Sequence, residues 1–72
     1  MPMIRVNGVA REIPTGTTVE GLVSLLEAEG GPLDRRAIAV EVNREIVPRS
    51  TYPARPLAMS DEVEIVTIVG GG

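Results

Sequence analysis

An α+β fold, a mixed sheet of four or five strands with one main helix across one face, is what this sequence predicts, on three observations. Short Val- and Ile-rich runs alternate with period two at both ends of the chain. A single stretch between them repeats its apolar residues at helical spacing. Ten Val, six Ile and five Leu, with no Phe or Trp, favour strands over helices. The 72 residues make one domain. At this size folding buries only about 60% of the surface exposed by the unfolded chain, so no element is stable alone.

Met3-Ile4-Arg5-Val6 and Val9-Ala10-Arg11-Glu12-Ile13 alternate around Asn7-Gly8. That pair predicts a hairpin, because a type I′ turn needs positive φ at both central residues. Pro14, with no N–H for a ladder, ends the second strand. Thr17-Thr18-Val19-Glu20 reads as a capping box, with Thr17 as N-cap and the Glu20 carboxylate reaching back to it. Val19, Leu22, Val23 and Leu26 then mark one face of a helix of about 12 residues, stopped by Gly30-Gly31-Pro32. Ile38–Val42 is a strand with Ile38, Val40 and Val42 on one face. Asn43-Arg44 turns it into Glu45-Ile46-Val47, which Pro48 confines to an edge. Arg49–Ser60 is irregular, interrupted by Pro53 and Pro56 and anchored through Tyr52 and Leu57. Glu62–Ile68 is the longest strand. The first and last strands are the most continuously apolar and should lie side by side in the centre, which is the β-grasp arrangement. The core should then hold Ile4, Val6, Val19, Leu22, Val23, Leu26, Val40, Val42, Val63 and Ile65. Met3, Arg5, Ala39, Glu41, Glu62, Glu64, Val66 and Ile68 should occupy the opposite face.

Composition excludes much chemistry. There is no Cys and no His, hence no disulfide, no thiolate or imidazole metal site and no His- or Cys-based catalysis. Seven Arg, no Lys and a net charge of −3 leave no footprint for nucleic acid. No apolar run approaches the roughly 20 residues of a membrane span, and the first residues lack a signal-peptide pattern. A soluble, cytoplasmic protein, monomeric when free, is the expectation. Glu62 and Glu64 share a strand face near Glu41, and a carboxylate pair can do acid–base work where burial raises one pKa. With no cleft, base or nucleophile beside them, a solvated face that resists aggregation and helps to choose a partner is the better reading. The chain is not expected to be an enzyme or to bind a cofactor.

The informative feature is Gly70-Gly71-Gly72. With glycine near 7% of average composition, three in a row at the end arise by chance in roughly 3 of 10,000 chains. A disordered end or a cloning remnant would also supply glycines, but no tag or linker residues follow, and the run grows directly out of the last strand. Without side chains such a segment can thread a narrow slot and present its α-carboxylate there. Residues 69–72, extended, reach about 13 Å. The segment should be flexible in the free protein. A carboxylate of reference pKa about 3.3–3.7 is ionised at neutral pH and a poor electrophile. To carry a group it must be activated with ATP by another protein, since no nucleotide motif is present.

These residues resemble the thiamine-biosynthesis sulfur carrier family (ThiS), ubiquitin-like β-grasp proteins. The likeness runs through Ile4-Arg5-Val6-Asn7-Gly8, Thr18-Val19, Leu25-Leu26 and Val40-Glu41-Val42-Asn43. It continues through Ile46-Val47-Pro48-Arg49-Ser50 and Asp61–Val66 to Val69-Gly70-Gly71-Gly72. Ser60 departs from it, standing where the family usually has Gly before the Asp. The resemblance implies that a ThiF-type adenylyltransferase adenylates the Gly72 carboxylate with ATP. Sulfur relayed from a cysteine desulfurase then makes a thiocarboxylate, which donates it to thiazole synthase (ThiG). Gly72 would bear the sulfur, and Gly70 and Gly71 would thread the slot. A carrier for molybdopterin or cysteine biosynthesis, or a ubiquitin-like modifier or interaction module, shares the fold and tail. Val66 and Ile68, flanked by Glu62 and Glu64, are the expected partner-binding surface, because exposed apolar residues inside a polar rim mark docking sites.

Overall fold

The computed structural model describes residues 1–30 and 33–68. β1 (Met3–Val6) and β2 (Val9–Glu12) form an antiparallel hairpin, with Met3 opposite Glu12 and Val6 opposite Val9. Its turn residues Asn7 and Gly8 have φ of 49° and 83°, as a type I′ turn demands. β2 stops at Glu12, but the Ile13 N–H still donates to the Pro2 carbonyl at 3.0 Å, and Ile13 is fully buried. Ile13 was absent from the expected core. It shares the helix-facing side with Val9 and Arg11, and on this edge strand only its end of that side is covered. Val9 remains 69% exposed.

The helix α1 spans Val19–Ala28, ten residues rather than about twelve. Its N-cap is Thr18, not Thr17: the Thr18 hydroxyl accepts from the Gly21 N–H at 3.1 Å. The capping box does not form, because the Thr17 N–H and hydroxyl both donate to the Pro14 carbonyl. Glu20 instead accepts from Arg35. Val19, Leu22 and Val23 are buried, and Leu26 packs half-buried at the rim. Gly30 has φ of 90° and donates to the Glu27 carbonyl, so it ends the helix in the left-handed geometry that glycine adopts without strain. Gly31 and Pro32 lie outside the described residues.

β3 (Ile38–Val42), β4 (Glu45–Val47) and β5 (Glu62–Thr67) complete a five-stranded sheet of order β2-β1-β5-β3-β4. β5 runs parallel to β1 and antiparallel to β3, so the first and last strands adjoin as expected and β5 is central. β4 is an edge. β5 ends one residue earlier than expected, yet the Ile68 N–H still donates to the Ala37 carbonyl at 2.7 Å. The expected facing holds: Ile4, Val40, Val42 and Val63 are buried under α1, while Val6 and Ile65 pack at the margin of the core.

Arg49–Ala54 is a 3₁₀ segment around Pro53. It buries Tyr52, and Leu57 follows it into the core. The strap is tied to the helix start: Leu57 N–H donates to the Thr17 carbonyl, and Val19 N–H to the Arg55 carbonyl. Ser60 has φ of 70°, a left-handed conformation that an L side chain resists. Asp61, buried beside it, accepts from the Asn43 side chain at 2.9 Å and from the Ala58 N–H at 2.8 Å.

Candidate functional site: the open face of the sheet

Because side chains alternate along a strand, every residue turned away from α1 shares one open face. Register sets the layout. Arg5 lies opposite Glu62, Glu41 opposite Glu64, and Ala39 opposite Val66. Along β5 the face runs from acidic to apolar: Glu62 and Glu64 are exposed, Val66 is 45% exposed, and Ile68 just beyond the strand is 53% exposed. The four residues expected at a partner surface are thus brought onto one line. Glu12, opposite Met3, adds a fourth carboxylate to the three of Glu41, Glu62 and Glu64, against the single guanidinium of Arg5. The face is net negative.

Sequence reasoning missed Ile46. It stands opposite Glu41 and is 71% exposed, so on β4 it adds an apolar side chain to the row of Glu41 and Glu64, one row away from Val66. A strand of three residues has too little alternation to reveal its facing. The signal was the two-residue Asn43-Arg44 turn, whose φ values of 52° and 69° repeat the tight geometry of the first hairpin and fix the register.

The depressions on this side differ in size, and one of about 340 Å³ is lined by Met3, Ile4, Arg5, Ala10, Ser60 and Glu62. Another, of about 110 Å³, is lined by Arg5, Gly8, Glu62, Val63 and Glu64. Among the described residues no group of three or more His, Cys, Asp or Glu side chains converges as metal ligands would. The charge network with shifted protonation lies elsewhere. Arg35 donates to Glu20, Glu27 and Ser24, tying the 3₁₀ turn Arg35–Ala37 to α1 and holding the Glu27 carboxyl below its ordinary range. Arg11 does the same to Glu29. These pairs fasten the helix to its neighbours and do not touch the open face. Among the described residues this face offers shape and negative charge.

Gly70, Gly71 and Gly72, with Val69, lie outside the described residues; Ile68 is the last one described before them. Among the described residues no helix is long and apolar enough to cross a membrane.

The model of the ThiS family matches residues 4–72. A thiazole synthase from Paramagnetospirillum magneticum is 40% identical over 67 residues, which cover 93% of this chain and 19% of that protein. A thiazole synthase from Magnetococcus marinus is 38% identical over 69 residues, 96% of this chain and 20% of that one. The chain therefore spans about one fifth of the length of these curated relatives. The crystal structure of a thiamine biosynthesis protein (ThiS) from Geobacter metallireducens superposes with a TM-score of 0.82 at 26% identity, covering 97% of this chain and 99% of that one. The β-grasp architecture is common to both.

Proposed function

This chain belongs to the ThiS family, and on that premise we propose that it is the sulfur carrier protein of thiazole formation in thiamine biosynthesis, a protein co-substrate and not an enzyme. In this reading the Gly72 carboxylate is offered to a ThiF-type adenylyltransferase. That partner binds the ATP; this chain supplies only the acyl group. Attack of the carboxylate on the α-phosphorus releases pyrophosphate and leaves an acyl adenylate, from which a sulfur nucleophile displaces AMP. The sulfur originates as the persulfide of a cysteine desulfurase: its outer sulfur attacks the acyl carbon as AMP leaves, and a thiol then cleaves the S–S bond of the acyl disulfide, forming a disulfide with the inner sulfur and releasing the thiocarboxylate. The resulting thiocarboxylate is the sulfur donor to thiazole synthase.

The open face docks both partners. Its apolar end, Val66 and Ile68, supplies area that loses water on contact, and the flanking glutamates steer toward a basic surface. The observation that carries the choice of acceptor is the pair of relatives described as thiazole synthases. Each contains, within a much longer protein, a segment similar to nearly the whole of this chain.

The test is adenylation by the activating enzyme with ATP, followed by intact-mass measurement. The unaltered protein should gain an adenylyl group and, with desulfurase, cysteine and a thiol reductant, exchange one terminal oxygen for sulfur. Removing Gly72 should abolish both while leaving the circular dichroism spectrum unchanged. Gly71→Val should impair them by obstructing the slot. Normal adenylation of the protein lacking Gly72 would overturn the proposal.

A further inference from the structure

β5 is inserted between two hairpins whose tight turns each place an asparagine beside it. Asn43, at φ 52°, grips its beginning: its N–H donates to the Glu62 carbonyl at 2.7 Å, and its side-chain oxygen accepts from the Glu62 N–H at 3.0 Å. Asn7, at φ 49°, grips the other flank further along. Its N–H donates to the Val63 carbonyl at 2.9 Å. Its side-chain oxygen accepts from the Ile65 N–H at 2.7 Å, and its side-chain nitrogen donates to the Ile65 carbonyl at 3.2 Å.

The Asn7 amide therefore makes, with one side chain, both hydrogen bonds that a neighbouring strand would make to Ile65. It replaces β1 where β1 has ended, since the β1–β5 pairing stops at Val6 and Val63. Along β5 the backbones of Glu62 and Ile68 bond toward β3, as the Asn43 and Ala37 contacts show. By alternation Val63, Ile65 and Thr67 turn theirs toward β1. Asn7 is thus the last described group holding β5 on that side before the chain continues through Ile68 to residues 69–72.

We propose that Asn7 is a positioning residue for the C-terminal glycines: its amide holds Ile65 extended and so fixes the strand from which they depart toward the partner's active site. The proposal rests on the sulfur-carrier reading. A strand end that is ordered before binding spares the partner the cost of ordering it. The effect belongs in the Michaelis constant for this chain, because the bound tail occupies the same slot either way.

The test compares Asn7→Gly, which keeps the positive φ of the turn and deletes only the amide, with Asn43→Gly, the same change at the beginning of β5. Both are assayed by pyrophosphate exchange with the ThiF-type enzyme, by urea unfolding and by amide hydrogen exchange. Asn7→Gly should speed exchange of the Ile65 amide and raise KM by roughly five- to thirtyfold, the scale of ordering about one residue, with kcat unchanged. Asn43→Gly should lower the unfolding midpoint and leave KM as it was. Asn7→Asp keeps the acceptor and loses the donor, so it should fall between the unaltered protein and Asn7→Gly. An unchanged KM in Asn7→Gly with faster Ile65 exchange overturns this proposal alone. So does an equal rise in KM from Asn43→Gly, which would mark a general loss of stability. Failure of the unaltered protein to be adenylated overturns the sulfur-carrier reading, and this proposal with it.

Discussion

Glu41 of β3 and Glu64 of β5 are direct partners in the antiparallel ladder, with both carboxylates on the open face. Like charges so placed destabilise a sheet. A fold of 72 residues has little stability to spare, so a repulsive pair at the centre of its sheet calls for a role outside folding. The docking proposed above would supply one, the two charges serving a basic partner jointly. Glu64→Gln should therefore raise the stability of the isolated protein by about 0.2–1 kcal/mol in low salt, with a smaller gain at high salt. The same change should raise KM for adenylation. Urea titrations and kinetics at two salt concentrations measure both. A variant both more stable and better bound would remove the electrostatic part of the docking argument.

The helix start offers a cleaner comparison. Thr18 caps α1 through its hydroxyl, whereas the Thr17 hydroxyl bonds the Pro14 carbonyl outside the helix. Thr18→Ala should cost about 1 kcal/mol of stability, the usual worth of an N-cap. Thr17→Ala should cost clearly less. Equal losses in chemical unfolding would contradict this assignment of the cap.

That shift by one residue shows where the sequence stops being legible. Two adjacent threonines with a Glu three residues after the first fit the capping-box pattern, and only tertiary contacts decide between them. Pro14 occupies Thr17, while Thr18 bridges to Pro56 in the strap. The hairpins, the central pairing of β1 with β5 and the open face were readable because turn chemistry and period-two alternation are local. Ile13 and Ile46 were not, since an edge strand is covered only where another element happens to lie. The 3₁₀ segment from Arg49 to Ala54 has no periodic pattern to betray it, although its anchors Tyr52 and Leu57 stood out as lone apolar residues among prolines.

Those anchors carry the third prediction. Leu57 is 6% exposed, and its N–H ties the strap to the Thr17 carbonyl. Leu57→Ala should cost about 2–5 kcal/mol, the range for a buried leucine. For a domain this small that is enough to leave much of the population unfolded at room temperature. A one-dimensional NMR spectrum would show the collapse of shift dispersion, and a fully dispersed spectrum with an unchanged urea midpoint would contradict it.

Stability should also fall in acid. Hydrogen bonds from Arg35 lower the pKa of Glu27 from its ordinary 4.5, and those from Arg11 lower that of Glu29. The Arg36 N–H lowers that of Asp34 from its ordinary 3.8. A carboxyl with a folded pKa below its unfolded one favours the folded state fully at pH above the unfolded value. That contribution is lost as pH falls through the folded value. The urea midpoint should be level from pH 7 to about 5 and then decline. Glu27→Gln should flatten the decline; an acid limb as steep as in the unaltered protein would assign it to other groups.

The sharpest test of the docking face is Val66→Asp. Val66 lies opposite Ala39 on the open face and is 45% exposed, so an aspartate there reaches water and the fold should survive. In the complex the same carboxylate would sit without a partner in the apolar part of the contact, beside Ile68, where burial of an unpaired charge is costly. Binding to the adenylating enzyme should weaken by about 1–3 kcal/mol, the range of a residue at an interface centre. Ser24→Asp, at an exposed position of α1 on the other side of the sheet, adds the same charge away from the contact and should bind as the unaltered protein does. Isothermal titration with both variants separates position from charge. Equal weakening would make the effect one of net charge alone. Full binding by a folded Val66→Asp would move the docking surface off this end of β5.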